Sequence, residues 1–379
     1  MMSKKILPPA MLGMLGGGQL GRFFVIAAHE MGYRVTVLDP DRNSPAGKIA
    51  DVHLCAAYDD ATALEQMANT CEAITTEFEN VPAATLDFLA RSRVVRPAAA
   101  SVAVAQHRVL EKNFIRDAGL PVAPYHVIES ADHIHAVSAE FYPAILKVAR
   151  FGYDGKGQAR VKSSAEALVA FDKFNGETCV LEKMLQLDYE VSVVLARDAQ
   201  GNVAAFPTAE NSHLNGILDI SIVPARGDEA VRERAQVLAK QVAEKLDYVG
   251  VLGVEFFVCN GELLVNEMAP RPHNSGHYTI DACVTDQFEQ QVRVLTGLDL
   301  GDARLHSPAV MVNILGDVWQ AGEPAWDQVF AVPALKMHLY GKHEPRAGRK
   351  MGHFTVLAQD LDTALTQALA ARSTLGIGE

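Results

Sequence analysis

Within its first hundred residues the chain repeats one rhythm, a short apolar run followed by a helical pattern and a further apolar run. Met11 to Leu15 reads as a buried strand, Gln19 to Met31 as a helix stopped by Gly32, and Arg34 to Leu38 as a strand closed by Asp39 and Pro40. Asp59 to Asn69 reads as a helix and Ala73 to Thr76 as a further strand. Strand, helix and strand in this order predict a parallel sheet with crossover helices.

The rhythm then changes. Gln106 to Ala118 reads as a helix, with Gly119 and Pro121 as its stop. Ala144 to Val148, Cys179 to Lys183 and Glu190 to Ala196 read as short strands, with a glycine-rich loop and a helix, Ser164 to Phe174, among them. Glu229 to Leu246 is a long amphipathic helix, and a helix is expected near Leu361 to Ala371. The expected class is α/β for the first part and α+β after it. A length of 379 residues exceeds one small core and suggests two or three domains.

Composition excludes several classes of function. A net charge of -12 repels nucleic acid, so no nucleic-acid partner is expected. Cys55, Cys71, Cys179, Cys259 and Cys283 are scattered and form no C-x-x-C pair, which argues against a disulfide framework or a zinc site. No apolar run is long enough for a membrane span, and no signal peptide is read at the start, so a cytoplasmic protein is expected.

Two glycine loops invite a ligand. Gly16, Gly18 and Gly21 spell G-x-G-x-x-G between a strand and a helix, and Asp39 ends the next strand. This is a dinucleotide fingerprint on paper, but any phosphate suits a glycine turn at a helix N-terminus. A nicotinamide-dependent oxidoreductase therefore stays open as an alternative. The second loop follows Lys147 and runs Gly152, Tyr153, Asp154, Gly155, Lys156, Gly157, Gln158. It lacks a G-K-[ST] ending and is not a Walker loop; a glycine loop with two lysines can fold over a triphosphate as a lid. Glu182, Lys183, Met184 and Leu185 end a later strand, where backbone groups can read an adenine edge. Glu190 is the acid available for ribose hydroxyls. Each feature alone also fits an ordinary hairpin or a surface carboxylate.

Glu255 lies inside an apolar strand, Val251 to Val258, and Glu267 ends its hairpin partner, Glu262 to Met268. A buried carboxylate is costly unless paired or metal-bound. Two of them meeting across a hairpin offer hard oxygens suited to magnesium. Register decides whether they meet. A two-residue turn at Asn260-Gly261 pairs Glu255 with Asn266 and puts the glutamates on opposite faces. A three-residue loop with a bulge pairs Glu255 with Glu267, and that bulged register is the one expected. In the other register Asn266 remains a neighbouring ligand. Salt bridges, for example to Arg271, are the competing reading.

In sequence order, Lys147, the G-Y-D-G-K-G-Q loop, Glu182 to Leu185, Glu190, Glu255 and the 266–267 N-E pair resemble the ATP-grasp superfamily. N-E-M-A-P-R-P-H-N-S-G-H-Y-T at 266–279, G-G-G-Q-L-G at 16–21, E-F-E-N-V at 77–81 and G-R-K-M-G-H at 348–353 narrow it. The chain resembles, over nearly its whole length, the family of 5-(carboxyamino)imidazole ribonucleotide synthases of purine biosynthesis. Lys156 stands where an arginine is often seen in that lid loop.

The resemblance implies an N-terminal parallel α/β (pre-ATP-grasp) domain at 1–105. An ATP-grasp domain at 106–308, with a lid at about 125–207, and a small C-terminal mixed β domain at 309–379 follow it. It implies a carboxylating ligase that uses ATP, Mg2+, bicarbonate and 5-aminoimidazole ribonucleotide by way of carboxyphosphate, and a homodimer. Arg108, Lys147 and residues 152–158 are implied for the ATP phosphates, with Glu182, Lys183, Met184, Leu185, Glu190 and His213 for adenine and ribose. Asn266 is implied beside the nucleotide, and Glu255 and Glu267 at the magnesium. Arg271 and His273, with Lys147, are implied in catalysis, orienting bicarbonate or carboxyphosphate and helping proton transfer.

Gln19, Leu20, Glu79, Asn274, Ser275, Lys336, Arg349 and Lys350 are implied at the ribonucleotide. Asn80 is a possible further contact. The segment from Lys336 to Lys350 carries five Lys or Arg and one Glu, which suits a phosphate. A sister ATP-grasp ligase activating another carboxylate, and a non-catalytic nucleotide-binding module, are the remaining rivals.

Overall fold

The computed structural model describes residues 5–150, 157–320 and 322–378. The N-terminal sheet has strands β1 (Met11–Leu15), β2 (Arg34–Leu38), β3 (Val52–Leu54), β4 (Ala73–Thr76) and β5 (Val94–Val95), all parallel, in the order β3-β2-β1-β4-β5. Its apolar runs are explained by cover on both faces. Helix α1 (Gln19–Glu30) packs on one face, and α2 (Ala61–Thr70), α3 (Ala83–Ala90) and α4 (Ala99–Ala105) pack on the other. The order reverses at β1, so the crevice at its C-terminal end, beside Gly16, is the expected ligand position of such a sheet.

Helix α5 (Arg108–Asp117) leads out of this unit. An antiparallel sheet of β6 (Tyr125–Ile128), β7 (Ala144–Val148), β8 (Gln158–Val161) and β9 (Cys179–Lys183), ordered β6-β9-β7-β8, follows with α6 (Ala131–His135) and α7 (Ser164–Lys173). The chain then enters the main sheet with β10 (Tyr189–Arg197), β11 (Val203–Ala205), β12 (Ala209–Leu214), β13 (Ile217–Val223), β14 (Gly250–Cys259) and β15 (Glu262–Ala269). The strands expected within a lid reaching 207 thus divide: β6 to β9 form their own sheet, and β10 already belongs to the main one.

The C-terminal strands β16 (Ala309–Leu315), β17 (Leu335–Leu339) and β18 (Lys350–Leu357) extend that same main sheet, because β13 pairs with β16. Among the described residues its order is β15-β14-β10-β12-β13-β16-β18-β17, with β11 on β10. Helix α8 (Glu229–Lys245) buries its apolar stripe against β10 and β14, and the 4-residue α9 (Thr279–Ala282) leads to α10 (Gln287–Thr296) on the other side. Phe23 of α1 sits where all three parts meet, its ring 5.0–5.9 Å from those of His277, Phe288, His338, Tyr340 and His353. His353, from the G-R-K-M-G-H stretch, is fully buried there and bonds the Tyr340 hydroxyl at 2.9 Å.

Candidate active site

A cleft of about 880 Å³ opens between the three parts, within the range of small-molecule sites. Into it project side chains from the first glycine loop, the β4 end, α5, β7, β8, β14, β15 and the segment after β15.

Glu255 and Glu267 face each other across β14 and β15, directly paired. The register is the expected one, but its cause differs. Cys259 pairs with Glu262, so the turn has two residues, and Asn260 and Gly261 take φ of 50° and 77° as a tight hairpin requires. The extra residue lies further along, where Phe256 pairs with Val265 and Asn266 is left over. Core packing shows the effect. Leu263, Val265 and Met268 all enter one core, so the alternation slips by one at Asn266 and Glu267 turns to the cleft. On β14, Leu252, Val254, Phe256 and Val258 enter that core while Glu255 and Phe257 line the cleft.

Helix α5 secures the slipped edge. Lys112 donates to the Asn266 carbonyl at 2.8 Å, and the Met268 amide donates to Glu111 at 2.7 Å. Burial and the Glu267 charge push the Glu111 carboxyl up to about 8. Burial and the same charge push Glu255 up to about 7. Near the pair are the Asn266 amide, 3.3 Å from Glu255, His273 Nε2, 3.4 Å from Glu255, and Arg108, 3.4 Å from Glu267. Two carboxylates that face each other on one side of the sheet form a hard-oxygen donor set that fits a magnesium ion.

The nucleotide candidates are grouped but not all in the cleft. Lys147 on β7 donates to Glu182 on β9 at 3.0 Å, and buried Lys112 lies 3.5 Å from the same carboxylate. Burial opposes the Glu182 charge, but Lys112 and Lys147 outweigh it and hold the carboxyl at about 2. Glu182 thus anchors both lysines through Oε2, while its Oε1 is buried without a hydrogen-bond partner among the described residues. Lys183 and Met184 are exposed and Leu185 half-buried, outside the cleft wall; the Lys183 and Met184 amides donate to Pro124 and Pro143. Glu190 lies 3.1 Å from His213, and both line the cleft. Burial lowers the affinity of His213 for a proton, but Glu190 and Glu255 outweigh it and raise its pKa. Gln158 is at the cleft and Gly157 beside it; Gly152 to Lys156 lie outside the described residues.

Arg271 bonds Glu79 through two nitrogens, at 2.6 and 3.3 Å. Burial opposes the Glu79 charge, but Arg271 outweighs it and holds the carboxyl at about 2. His273 lies beside Arg271 and is driven down to about 3 by burial and then by that arginine, so its ring is neutral. Gly253 lets it approach, since a Cβ there would sit 2.7 Å from the His273 Cβ. Asn274 lines the cleft with both amide atoms buried and without a partner, whereas Ser275 is buried behind it.

The first glycine loop holds an acid of its own. Glu77, at the end of β4, accepts the amides of Gly18 and Gly21. A Cβ on Gly16, whose φ is 106°, would lie 2.4 Å from the Glu77 Cγ. Asp39 accepts the Gly17 amide and the Tyr58 hydroxyl, each at 2.7 Å. The anion position of a dinucleotide fingerprint and its ribose acid are thus both taken by the protein, which removes the nicotinamide alternative. Gln19 and Leu20 remain at the cleft, with Lys350 beside them and Lys342 bonded to the Gln19 amide oxygen at 2.6 Å.

Lys336 and Arg349 are not brought there. Lys336 is an exposed β17 residue opposite Thr355, and Arg349 turns to the Glu344 carbonyl at 3.0 Å. Alternation along β18 turns Lys350 inward instead. Glu77, Glu111, Lys112 and Lys342 escaped the reading of the sequence. E-F-E-N at 77–80 signalled Glu77, but nothing local marks Glu111 and Lys112, whose hydrogen-bond partners Met268 and Asn266 lie more than 150 residues away.

Comparison with known proteins agrees with this architecture. Residues 10–106 match the ribonucleotide synthetase preATP-grasp domain, 113–288 the ATP-grasp domain, and 309–367 the phosphoribosylaminoimidazole carboxylase C-terminal domain. The N5-carboxyaminoimidazole ribonucleotide synthase of Bacillus subtilis is 43% identical over 364 residues, 95% of each chain. A crystal structure of an ADP complex of N5-carboxyaminoimidazole ribonucleotide synthetase shares 43% identity and a TM-score of 0.93 over 98% of both chains. The Aspergillus clavatus synthase, in complex with ADP and 5-aminoimidazole ribonucleotide, is 30% identical with a TM-score of 0.89, over 97% of this chain and 98% of its own.

Proposed function

The chain belongs to the N5-carboxyaminoimidazole ribonucleotide synthase family of ATP-grasp ligases, and on that premise we propose how its cleft carboxylates 5-aminoimidazole ribonucleotide at the expense of ATP. Bicarbonate is the carboxyl source in this reading. Its oxygen attacks the γ-phosphorus, the bond to the β-phosphate oxygen breaks, and ADP leaves. The carboxyphosphate so formed delivers its carbon to the exocyclic amine of the ribonucleotide, directly or as carbon dioxide. Phosphate departs, and the amine proton leaves with it.

Such chemistry needs positioning and charge neutralisation rather than a covalent nucleophile. Arg108, Lys147 and the 152–158 loop hold the ATP phosphates, with Glu190 and His213 at the nucleoside and the 182–185 backbone at its base. Glu255 and Glu267 would hold magnesium, which would neutralise phosphate charge when bound. Arg271 and His273 orient bicarbonate. Gln19, Leu20 and Lys350 receive the ribonucleotide phosphate, while Glu79 and Asn274 meet its ring or amine. The single observation that carries this reading is the direct pairing of Glu255 with Glu267 in the cleft that also holds Arg271 and His273.

Functionally we divide the chain at 105/106 and 308/309. No described helix is long and apolar enough to cross a membrane. We place the protein in the cytoplasm as a homodimer, which light scattering tests. The decisive assay is phosphate release from ATP with and without aminoimidazole ribonucleotide and bicarbonate. Release that depends on both supports the reading; equal stimulation by formate overturns it in favour of a sister ligase.

A further inference from the structure

His273 is held more firmly than a loop residue needs to be. Its backbone N–H donates to Gln287 Oε1 at 2.8 Å, and its carbonyl accepts from Gln287 Nε2 at 2.9 Å. Behind the ring runs a buried polar chain. Nδ1 lies 2.8 Å from the Ser275 hydroxyl, which lies 2.7 Å from the Ser192 hydroxyl. The Asn211 amide nitrogen is 2.8 Å from Ser192, and its oxygen is 2.7 Å from the Ser221 hydroxyl. These four residues are at most 6% exposed, and Ser192, Asn211 and Ser221 stand on the adjacent strands β10, β12 and β13.

Such a chain has two possible polarities, since every hydroxyl can turn and an amide can flip. One contact chooses between them. The Ser275 backbone N–H points at His273 Nδ1 at 3.3 Å, and a backbone N–H can only donate. Nδ1 is therefore an acceptor. The order becomes Ser221 to Asn211, Asn211 to Ser192, Ser192 to Ser275 and Ser275 to Nδ1, with each donor satisfied. The ring proton is left on Nε2, the atom 3.4 Å from Glu255 at the cleft.

We propose that Ser192, Asn211 and Ser221, acting through Ser275, are positioning residues that hold His273 as its Nε2–H tautomer. The ring then meets the cleft as a hydrogen-bond donor to an oxyanion and not as a base. This use of the proton rests on the bicarbonate reading above; the tautomer itself does not. A neutral donor beside Arg271 adds no second full charge, yet it favours an oxygen that gains negative charge during transfer. A residue two contacts away can decide such a tautomer, as the partners of functional histidines generally do.

The test is nitrogen-15 NMR of the full chain labelled at histidine, near neutral pH. The His273 signals are those that disappear in His273→Asn. A pyridine-like Nδ1 and a pyrrole-like Nε2 are expected. Ser192→Ala cuts the chain, and Asn211→Asp, which can only accept, reverses it at Ser192. Both should move the His273 signals toward the other tautomer and lower kcat about 10- to 100-fold, with KM for ATP held. Ser192→Thr restores the hydroxyl and should restore both readouts. A wild-type ring with its proton on Nδ1 overturns the proposal, as does a Ser192→Ala protein with unchanged signals and kcat. If the variants do not fold, the wild-type spectrum still decides the tautomer. Equal stimulation by formate with an intact Nε2–H signal would defeat the bicarbonate reading alone.

Discussion

The glycine loop after β1 and the hairpin of β14 and β15 each bring a carboxylate to the cleft, and they answer its charge in opposite ways. Glu77 receives two backbone N–H groups from Gly18 and Gly21, so its charge is answered by the chain itself. Among the described residues, Glu255 and Glu267 have the Asn266 amide, the neutral His273 imidazole and Arg108 at 3.3–3.4 Å, and they repel each other. An acid supplied with donors by its own chain completes a fold. Two acids set face to face with too few donors leave room for a cation. In the motif that looked like a dinucleotide site the acid is matched by backbone donors, and at the ordinary Asn-Gly hairpin it is not.

Changes at the two places should therefore fail differently. Glu267→Gln should lower turnover by about 10³-fold or more, since the metal's share of charge stabilisation is several kcal/mol. Phosphate release across a magnesium series checks it, and wild-type turnover would remove Glu267 from the metal site.

Glu182→Gln should cost about 3–5 kcal/mol, because it leaves Lys112 and Lys147 buried without their anion. The pH dependence has a definite sign. Glu182 is held at about 2, below the ordinary 4.5, so its contribution is full above about 4.5 and is lost as the pH falls through about 2. Urea unfolding at several pH values should show a shallower acid limb in the variant.

Glu77→Ala should cost about 2–4 kcal/mol by orphaning a buried and a part-buried N–H group. Its defect should appear in denaturant midpoints and not as a magnesium requirement; a shift in magnesium dependence equal to that of Glu267→Gln would erase the contrast drawn here. Lys112→Met removes the donor from the Asn266 carbonyl and should lower kcat about 10- to 100-fold, with partial recovery at high magnesium. Lys336→Ala should change stability by less than about 0.5 kcal/mol and leave ribonucleotide KM unmoved, because the residue is exposed and outside the cleft.

Much of the fold was legible in local pattern. Met11–Leu15, Arg34–Leu38, Ala73–Thr76, Ala144–Val148 and Cys179–Lys183 are strands with the bounds their apolar runs suggest. Short elements without a clear period, such as β3 and α4, were not legible, nor was the pairing of β13 with β16 that ties the C-terminal strands into the main sheet. Such pairing depends on contacts between distant segments, and local periodicity carries no record of them.

By itself, the order of residues determined the strand–helix alternation, the two glycine loops, and the presence of two glutamates on facing strands of one hairpin. These are local properties of side-chain spacing and turn chemistry. Only the tertiary structure decided what became of them. It placed the bulge at Asn266 instead of at the turn, because Lys112 and Glu111 of α5 hold that edge of the sheet. It filled the first glycine loop with Glu77, and it aligned Ser192, Asn211 and Ser221 behind His273. Hydrogen bonds across such sequence distances exist only after the strands have paired, so the proton of one histidine is set by residues that no motif would have joined to it.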